Sequence, residues 1–316
     1  MGDPASASVV LMHKGEIMGE MPLFWWRMLD GAAVIAHTGL AAGRARTLIE
    51  AAASLALIES LPGDRFALGT AGAALVGNPG IAAMIRHHRH FYADLADPVA
   101  LLRAPPGRTA LAGYWHYAAT DAAVAAGYST LMAASQPMLA SLVLDAYPFA
   151  RHRRLLDIAG GEGAFLEAVA ARVPALTLDL FDLPAVAARA AARAGTRATI
   201  HAGSFLVDPL PAGADLVTLV RVAHDHDDDV VAALFHKIRA ILPPGGTLLV
   251  VEPMAATAGA EPIGAAYFGF YLLAMGSGRP RSAAVLGEML RDAGFSRVRR
   301  HRSAMPLIVD LVAGTV

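Results

Sequence analysis

A turn rich in glycine stands in the most clearly patterned part of the chain. In "LLDIAGGEGAFLEAV", residues 155–169, Gly160, Gly161 and Gly163 follow an apolar strand and precede a helix. Glycine allows a tight turn there and lets a ligand approach the bare backbone at the helix start. The next strand candidate ends at Asp182, about 20 residues further on, where a carboxylate can accept both hydroxyls of a ribose. Together these features predict an adenosine ligand.

The acidic residues in and near this turn indicate which class of adenosine ligand it can bind. A dinucleotide would place its pyrophosphate over the helix N-terminus, but Glu162 stands inside the turn and Asp157 lies close by. A carboxylate there suits the helix dipole and opposes a phosphate. We therefore expect a ligand with positive charge, such as the sulfonium and ammonium groups of S-adenosylmethionine. For the glycine pattern taken alone, a strand-helix connection without any ligand is the alternative.

A second chemical group lies in a charged loop after a later strand, in "VTLVRVAHDHDDD", residues 217–229. His224 comes just past the strand, at the edge where a substrate should meet the nucleotide. An ordinary histidine pKa lies near neutrality, so His224 can act as a general base. We expect Asp225, or Glu252 at the end of the next strand, to fix its tautomer and to stabilise the imidazolium that forms during turnover.

Two other interpretations of the charged loop stay open. In one, the loop is a solvated helix start at which Asp227 or Asp228 caps the free N–H groups of the first turn. In the other, His224, His226 and the aspartates bind a metal ion, although residues two apart on one loop rarely converge without ligands from elsewhere. We favour catalysis by His224 with capping by the later aspartates, a structural role for His226, and no metal site.

The elements that must position these groups fall into two regions. From about residue 20 to 140 the pattern is helical, and a helix in "RTLIEAAASLALIES" followed by the extended "RFAL" is typical of a winged helix. Beyond residue 150, apolar strands alternate with amphipathic helices, which predicts a parallel sheet covered on both faces. Two extended segments around "SAMP" are expected to form a terminal hairpin. We predict domains at residues 1–148 and 149–316. The strand candidates are residues 155–159, 176–181, 216–222 and 248–251.

Composition excludes several classes of protein. The chain of 316 residues has 55% hydrophobic residues, a formal net charge of -1 and no cysteine. These values exclude a disordered chain, disulfides and thiolate metal sites, and they speak against a nucleic acid partner. The N-terminus lacks the features of a secretion signal, and the longest apolar run, "PIGAAYFGFYLLAMG", is too short for a membrane span. We expect a cytoplasmic protein, with contact between this run and a membrane surface left open.

Five motifs, in the same order, resemble those of the small-molecule O-methyltransferases of the caffeic acid type. They are "LLDIAGGEG", "LFDLP", "HAGSFLVDPLP", "VAHDHDD" and "LPPGGTLLVVEP", and the resemblance covers nearly the whole chain. It implies a Rossmann-like class I methyltransferase fold, α/β with a mostly parallel seven-stranded sheet. It also implies an N-terminal all-α winged-helix dimerisation domain, S-adenosylmethionine as methyl donor, and a homodimer in which the N-terminal domains exchange helices and help to close the active site.

The resemblance also assigns roles to residues. His224 would be the base, flanked by Asp225 and Glu252. Ser204 stands where the family usually has an acid, and Pro280 stands where plant members often have a second Glu that supports the base. The residues that would line the cofactor are Asp157, Gly160, Gly161, Gly163, Asp182, Leu183, Ser204, Phe205 and Arg221.

Within this family, residues 78–103 and 266–282 are most similar to the bacterial carotenoid enzymes, the hydroxyneurosporene O-methyltransferases. Their substrate is a long polyene with a tertiary hydroxyl, which implies an apolar acceptor. Apolar side chains on the helical segments that flank His224 suit such a slot as a group, although each one singly more often belongs to an ordinary core. The predicted pocket residues are Trp115, Tyr117, Met132, Phe268, Tyr271 and Met275.

Three functions therefore compete. The leading prediction is transfer of a methyl group from S-adenosylmethionine to a hydroxyl of an apolar metabolite, with a carotenoid favoured. The second is a relative that methylates another aromatic or polyketide product, or that has changed its reaction. The third is a winged-helix regulator that senses a metabolite, and the near-neutral charge and the lack of a basic recognition helix speak against it.

Two arginine-rich stretches have no role in this scheme. The cluster "RHHRH" at residues 86–90 is expected to be an exposed helix face, with a histidine-rich metal site as a distant alternative. Arg279 and Arg281 are expected either to be solvated or to close the mouth of the pocket.

Overall fold

The computed structural model describes residues 29–76, 78–114, 136, 138–193, 197–306 and 308–316. The chain divides into two compact units, and the boundary between them falls between His87 and His88. The second unit therefore includes several helices that precede the sheet. The domain boundary predicted near residue 148 stays a prediction.

The first unit has the order of helices and hairpin that the sequence predicts. Its helices are α1 (Gly31–Thr38), α2 (Ala42–Ser54) and α3 (Thr70–Val76), and its strands are β1 (Leu29–Asp30), β2 (Ile58–Leu61) and β3 (Arg65–Leu68). β3 lies between β1 and β2 and is antiparallel to both. Val34, Ile49 and Phe66 form a buried cluster between the helices and the hairpin. The predicted arrangement, helices followed by a small hairpin as in a winged helix, is confirmed.

The second unit contains the alternating strands and helices. Helix α4 (Pro79–Leu95) runs into it from the first unit, and several of its helices begin at proline, whose fixed φ suits the first helical position. The further elements are α5 (Pro98–Arg103), α6 (Ala110–Tyr114), helical residues 138–146, a 3₁₀ turn (Phe149–Arg151), β4 (Arg154–Ile158), α7 (Ala164–Arg172), β5 (Thr177–Asp182), α8 (Pro184–Ala192), β6 (Thr199–Ala202), β7 (Leu216–Val220), a 3₁₀ turn (Ala223–Asp225), α9 (Asp228–Ile241), β8 (Thr247–Glu252), a π-helix (Ile263–Tyr267), α10 (Phe268–Met275), α11 (Ala283–Asp292), β9 (Arg297–His301) and β10 (Asp310–Thr315).

Seven of these strands form one mostly parallel sheet in the order β6-β5-β4-β7-β8-β10-β9. The five strands from β6 to β8 are parallel, whereas β10 is antiparallel to both β8 and β9. The terminal hairpin around "SAMP" therefore lies at the edge of the sheet, as predicted. The predicted Rossmann-like α/β fold with a mostly parallel seven-stranded sheet is confirmed.

The core of this unit consists of two apolar layers, one on each face of the sheet. Successive residues of a strand point to opposite faces, so Leu156 and Val217 belong to one buried cluster while Leu155 and Leu216 belong to the other. The strands β7 and β8 are buried at every position, because helices cover both faces. The polar groups that can do chemistry must therefore emerge at the strand ends.

The carboxyl ends of β4, β5, β7 and β8 meet at one edge of the sheet, because these strands are parallel. The side chains near or just beyond those ends are Asp157, Asp182, His224 and Glu252. Ligands bind at this edge in open α/β sheets. Among the helices that the structure describes, none is both long and apolar enough to cross a membrane.

Candidate active site

The glycine turn, residues 159–163, connects β4 to α7 through left-handed backbone. φ is +55° at Ala159, +62° at Gly161 and +83° at Gly163. Such backbone costs glycine little but strains alanine, so the strain is concentrated directly after the strand. The Ala159 N–H donates to the carbonyl of Phe181 (2.7 Å), which ties the turn to β5. The shape of the turn therefore depends on the neighbouring strand as well as on its own glycines.

Asp157 is fully buried near the end of β4. The hydroxyl of Thr218, on the neighbouring strand β7, donates to Asp157 Oδ1 (2.6 Å), whereas Oδ2 has no hydrogen-bond partner among the described residues. A Cβ on Gly160 would collide with Oδ2, so only glycine fits there. Burial raises the pKa of Asp157 to about 7; the Thr218 hydrogen bond opposes this shift and the charge of Asp182 adds to it. An unpaired buried carboxylate oxygen calls for a donor or a cation from a ligand.

Asp182 ends β5 and binds the glycine turn. The Gly161 N–H donates to its Oδ2 (2.8 Å) and the Leu183 N–H to its Oδ1 (2.7 Å). Burial raises the pKa of Asp182 to about 6, and these two hydrogen bonds and Arg189 limit the shift. Each carboxylate oxygen has further acceptor capacity, as binding of two ribose hydroxyls requires. The position and the chemistry of Asp182 thus agree with the role that the sequence predicts.

Glu162 contributes less negative charge than the sequence indicates. Its Oε1 pairs with Nε of Arg189, on α8, at 3.0 Å. The unpaired negative charge of the site therefore comes from Asp157 and Asp182, and these two side chains carry the case for a cationic ligand.

The segment after β6 carries two further predicted cofactor residues, Ser204 and Phe205. The Ser204 N–H donates to Oδ2 of Asp208 (2.7 Å), and Nζ of Lys237, on α9, donates to the carbonyl of Phe205 (2.8 Å). The half-buried ring of Phe205 meets the ring of His226 edge-on, with centroids 5.2 Å apart. The carboxylate that organises this turn is thus Asp208, four residues after the serine that replaces the acid of the family.

His224 lies in a short 3₁₀ turn and is only 7% exposed. Its Nδ1 hydrogen-bonds to Oε2 of Glu252, and its Nε2 lies 3.0 Å from Oδ1 of Asp225. The other oxygen of Glu252 accepts from the N–H groups of Val222 (3.0 Å) and Ala223 (2.7 Å). Glu252 therefore aligns both the imidazole ring and the backbone that carries it. The two partners that the sequence predicts both contact His224, on opposite nitrogens.

The two carboxylates determine the charge of this imidazole. Burial by itself lowers the pKa of His224, but Asp225 and Glu252 raise it to about 10. The pKa of Asp225 is lowered in spite of its burial, because the histidine lies beside it. In the free site the ring is therefore an imidazolium between two carboxylates. An acceptor hydroxyl that is to reach Nε2 must compete with Asp225.

Arg221 follows β7 directly and has a strained backbone. Its φ is +57°, and its N–H donates to the carbonyl of Val251 (2.8 Å). After burial and His224, the Arg221 guanidinium is a further influence on the pKa of Asp225, which it lowers. Left-handed backbone at a non-glycine residue is concentrated at functional sites. Arg221 thus lies near the predicted catalytic residues, directly after the strand that leads to them.

The later aspartates do not cap α9, so that prediction is wrong. Asp227 occupies the N-cap position, but its side chain accepts from the Gly278 N–H (2.9 Å) instead of from the helix. Asp228 pairs with Arg279 (2.8 Å) and Arg281 (2.6 Å). Arg281 is 3% exposed, so it is neither solvated nor at a pocket mouth. Among the described residues, no group of three or more His, Asp or Glu side chains could hold a metal ion.

Helix α10 carries the described part of the predicted acceptor pocket. Tyr271 is buried and meets Phe91, on α4, edge-on with ring centroids 5.3 Å apart. Phe268 and Met275 are half-buried, and Met275 packs against the same cluster. The other predicted pocket residues, which lie outside the described residues, are Trp115, Tyr117 and Met132.

Sequence reasoning missed two residues that extend this aromatic cluster. Nε2 of His88 hydrogen-bonds to the hydroxyl of Tyr267, and the two rings stack with centroids 5.7 Å apart. His87 is buried and His88 is half-buried, so the prediction of an exposed face at residues 86–90 is wrong for these two histidines. The available signal was helical spacing, since His88 lies three residues before Phe91 and shares its face.

The comparisons with known proteins identify the family. Residues 92–296 match the model of the O-methyltransferase domain. The chain is 44% identical to a demethylspheroidene O-methyltransferase of Rhodobacter capsulatus, over 87% of this chain and 71% of that one. The corresponding enzyme of Cereibacter sphaeroides is 42% identical, over 89% and 76% of the two chains. This chain belongs to the O-methyltransferase family.

Solved structures share the same fold. Human N-acetylserotonin methyltransferase in complex with S-adenosylmethionine has a TM-score of 0.75 at 22% identity, over 91% of this chain and 87% of that one. An N,N-8-amino-8-demethyl-D-riboflavin dimethyltransferase from Streptomyces davawensis has a TM-score of 0.66 at 27% identity, over 92% and 90% of the two chains. The predictions of an enzyme, of methyl transfer to oxygen and of S-adenosylmethionine as methyl donor are confirmed.

Proposed function

We propose that this O-methyltransferase methylates a hydroxyl group of a carotenoid, with His224 as the general base. The observation that carries the acceptor class is the 44% identity to an enzyme named for demethylspheroidene, over 87% of this chain. The aromatic cluster of α4 and α10 supports an apolar acceptor, because Phe91 and Tyr271 belong to one buried hydrophobic cluster.

The residues at the strand ends fit the cofactor. The unpaired oxygen of Asp157 suits the ammonium group of S-adenosylmethionine, and Asp182 suits the two ribose hydroxyls. Arg221 is proposed to pair with the carboxylate of the same ligand. The backbone of the glycine turn allows close approach, because a Cβ on Gly160 would fill the space beside Asp157. Gly161, Gly163, Leu183, Ser204 and Phe205 are proposed to complete the lining.

The chain itself has to orient the acceptor and to take up its proton. When bound, S-adenosylmethionine supplies an electrophilic methyl group on a sulfonium. In the imidazolium form both ring nitrogens carry a proton, so Nε2 first gives its proton to Oδ1 of Asp225. The acceptor hydroxyl then displaces the protonated Asp225 and passes its own proton to Nε2 of the neutral ring. Glu252 keeps the proton on Nδ1 and stabilises the imidazolium that results. A general base of this kind contributes a factor of about 100 to 10,000 to the rate.

The test is an incubation of the purified protein with methyl-labelled S-adenosylmethionine and one acceptor at a time. The acceptors are demethylspheroidene, hydroxyneurosporene and a simple phenol such as caffeic acid. We expect label in a carotenoid, and a loss of roughly 100-fold or more in His224→Ala with cofactor affinity unchanged. The control is His236→Ala, which removes an exposed histidine of α9.

Two outcomes would contradict the proposal in different ways. Label in phenols alone would show that the acceptor is not a carotenoid, and the assignment of methyl transfer would stand. That result is expected of a relative that methylates another aromatic product. Turnover at the wild-type rate by His224→Ala would show that His224 is not the general base, and the proposed acceptor would stand.

We also propose that the active protein is a homodimer formed through its N-terminal domain. The resemblance to dimeric relatives supports this, and exchange of helices between N-terminal domains would help to close each site. Sedimentation equilibrium should give a mass near twice the 32.8 kDa of one chain. A cytoplasmic location, and contact with a membrane surface at which carotenoids are held, stay predictions.

A further inference from the structure

Arg281 is a buried cation that hydrogen-bonds to the histidine loop, residues 222–228. Its side chain is 1% exposed. Nη1 donates to the carbonyl of Ala223 (2.7 Å) and Nη2 to the carbonyl of His226 (2.8 Å). These two carbonyls flank the pair His224 and Asp225 in the chain. The guanidinium therefore holds the backbone on both sides of the proposed base.

The main chain of Arg281 contacts the segment that follows Glu252, the hydrogen-bond partner of His224. Its carbonyl accepts from the Ala255 N–H (3.0 Å), and the next residue, Ser282, forms a parallel bridge with Ala255. Ala255 lies three residues after Glu252. One residue thus contacts both the loop that carries His224 and the segment that follows Glu252. Arg281 therefore connects the segments that carry these two side chains.

The residues just before Arg281 also contact the histidine loop. The Ser277 hydroxyl donates to the carbonyl of Asp225 (2.8 Å). Gly278 is left-handed, with φ +79°, and a Cβ there would collide with the carbonyl of His224. We call residues 276–281 the clamp segment. It follows α10 directly, so the helix that carries Tyr271 continues into the contacts that surround the base.

An ordinary ion pair does not account for Arg281. Arg279 pairs with the same carboxylate, Asp228, but it is exposed and makes no hydrogen bond to a carbonyl of the loop. Arg281 has lost almost all contact with water, and half of the Asp228 side chain remains exposed. Removing a charge from water in this way is costly, and apolar residues of similar volume often stabilise a fold as well or better. A purely structural role would therefore not require a guanidinium at this position.

We propose that Arg281 is a positioning residue for methyl transfer, which holds the histidine loop so that His224 stays aligned with Glu252. This inference rests on the proposed function of His224. The planar fork of the guanidinium reaches two carbonyls and one carboxylate at once, which a lysine cannot do. Displacement of a catalytic group by about 1 Å costs on the order of 100-fold in rate.

The kinetic test uses Arg281→Lys, Arg281→Met and the matched control Arg279→Met. We expect kcat to fall about 100-fold in both Arg281 variants, with the Kd of S-adenosylmethionine unchanged. Arg279→Met should keep the wild-type kcat, because it removes a contact with the exposed side chain of Asp228 and leaves the hydrogen bonds to the loop carbonyls of Ala223 and His226 in place. If Arg281→Met does not fold, Arg281→Lys decides the test, because it keeps the buried charge.

A second readout does not require turnover. The ring N–H between His224 and Glu252 should give a low-field proton resonance in NMR spectra, assigned by its absence in His224→Gln. We expect this resonance to shift or broaden in Arg281→Lys and to persist in Arg279→Met. This measurement separates the two proposals, because it tests the position of the ring even if no carotenoid is methylated.

The proposal is overturned by either of two results. One is Arg281→Lys with wild-type kcat and an unchanged His224 resonance. The other is an equal loss of kcat in Arg279→Met and Arg281→Lys, which would assign the effect to the shared ion pair with Asp228.

Discussion

At the scale of single residues, the proposed cofactor site contains two carboxylates, and nearby donors and cations do not fully balance their negative charges. Asp157 and Asp182 lie close enough for the charge of one to raise the pKa of the other. Both pKa values lie above the ordinary range of aspartate, at about 7 and about 6, chiefly because of burial. A cationic ligand restores the charge balance, and this couples its binding to pH.

We predict that binding of S-adenosylmethionine releases protons near pH 7. The pKa of Asp157 is about 7 in the free protein, and a cation beside it lowers that pKa. Affinity is therefore fully present above pH 7 and falls as the pH drops through 7, by up to about tenfold per pH unit. Isothermal titration calorimetry in buffers of different ionisation enthalpy measures the release.

The control for this prediction is Asp145→Asn, which changes an exposed aspartate paired with Arg172 on the surface. It should keep the pH dependence of the parent protein, whereas Asp157→Asn should bind weakly at every pH and release no proton. Equal affinities of the parent protein at pH 6 and pH 8 would show that Asp157 does not face the cation.

At the scale of elements, two loops from distant parts of the chain meet behind the proposed base. The histidine loop follows β7, and the clamp segment lies about fifty residues later, after α10. Their contact leaves no space for a side chain at Gly278. The position of His224 is therefore a property of two elements, not of the loop that carries it.

We predict that Gly278→Ala lowers kcat by more than its effect on stability explains. Alanine is strained by about 1–2 kcal/mol in left-handed backbone, and here it also pushes the carbonyl of His224 aside. Gly245→Ala is the matched control, because φ is +80° there and a Cβ would meet nothing within 4 Å. Gly245→Ala should lose in urea denaturation only the stability that the backbone strain costs and should keep the wild-type kcat, whereas Gly278→Ala should lose more stability and should also lose turnover in the fraction that remains folded. Equal kcat values in the two variants would refute this account.

At the scale of the whole molecule, the strand ends are held by a sheet whose two faces are both covered. Phe235, on α9, is fully buried in the apolar layer that also contains Val217 and Val250. That layer lies under the histidine loop and β8 together. Its packing therefore stabilises the frame of the active site as well as the fold.

We predict that Phe235→Ala lowers the free energy of unfolding by about 3–5 kcal/mol, because it removes buried apolar surface and leaves a cavity. Val207→Ala, at a side chain that is 79% exposed, should change it by less than about 0.5 kcal/mol. Denaturation in urea, followed by circular dichroism, measures both. A small effect of Phe235→Ala would mean that the layer rearranges to fill the space.

The sequence by itself determined the features that depend on neighbours along the chain. Gly160 and Gly161 after an apolar strand, Asp182 after the next, and His224 and Glu252 after two more are all local patterns. Parallel strands bring their carboxyl ends to one edge, so these residues had to converge once the alternation of strands and helices was recognised.

Only the tertiary structure decided the contacts between residues that are far apart in the chain. Thr218 contacts Asp157 from the neighbouring strand, 61 positions away in the chain, and His88 contacts Tyr267 over 179 positions. Arg281 is buried against a loop more than fifty residues earlier, although its neighbours in the chain, Pro280 and Ser282, are only half-buried. A side chain becomes buried when whole elements pack together. The local sequence therefore does not indicate which distant carbonyl or carboxylate that side chain will contact.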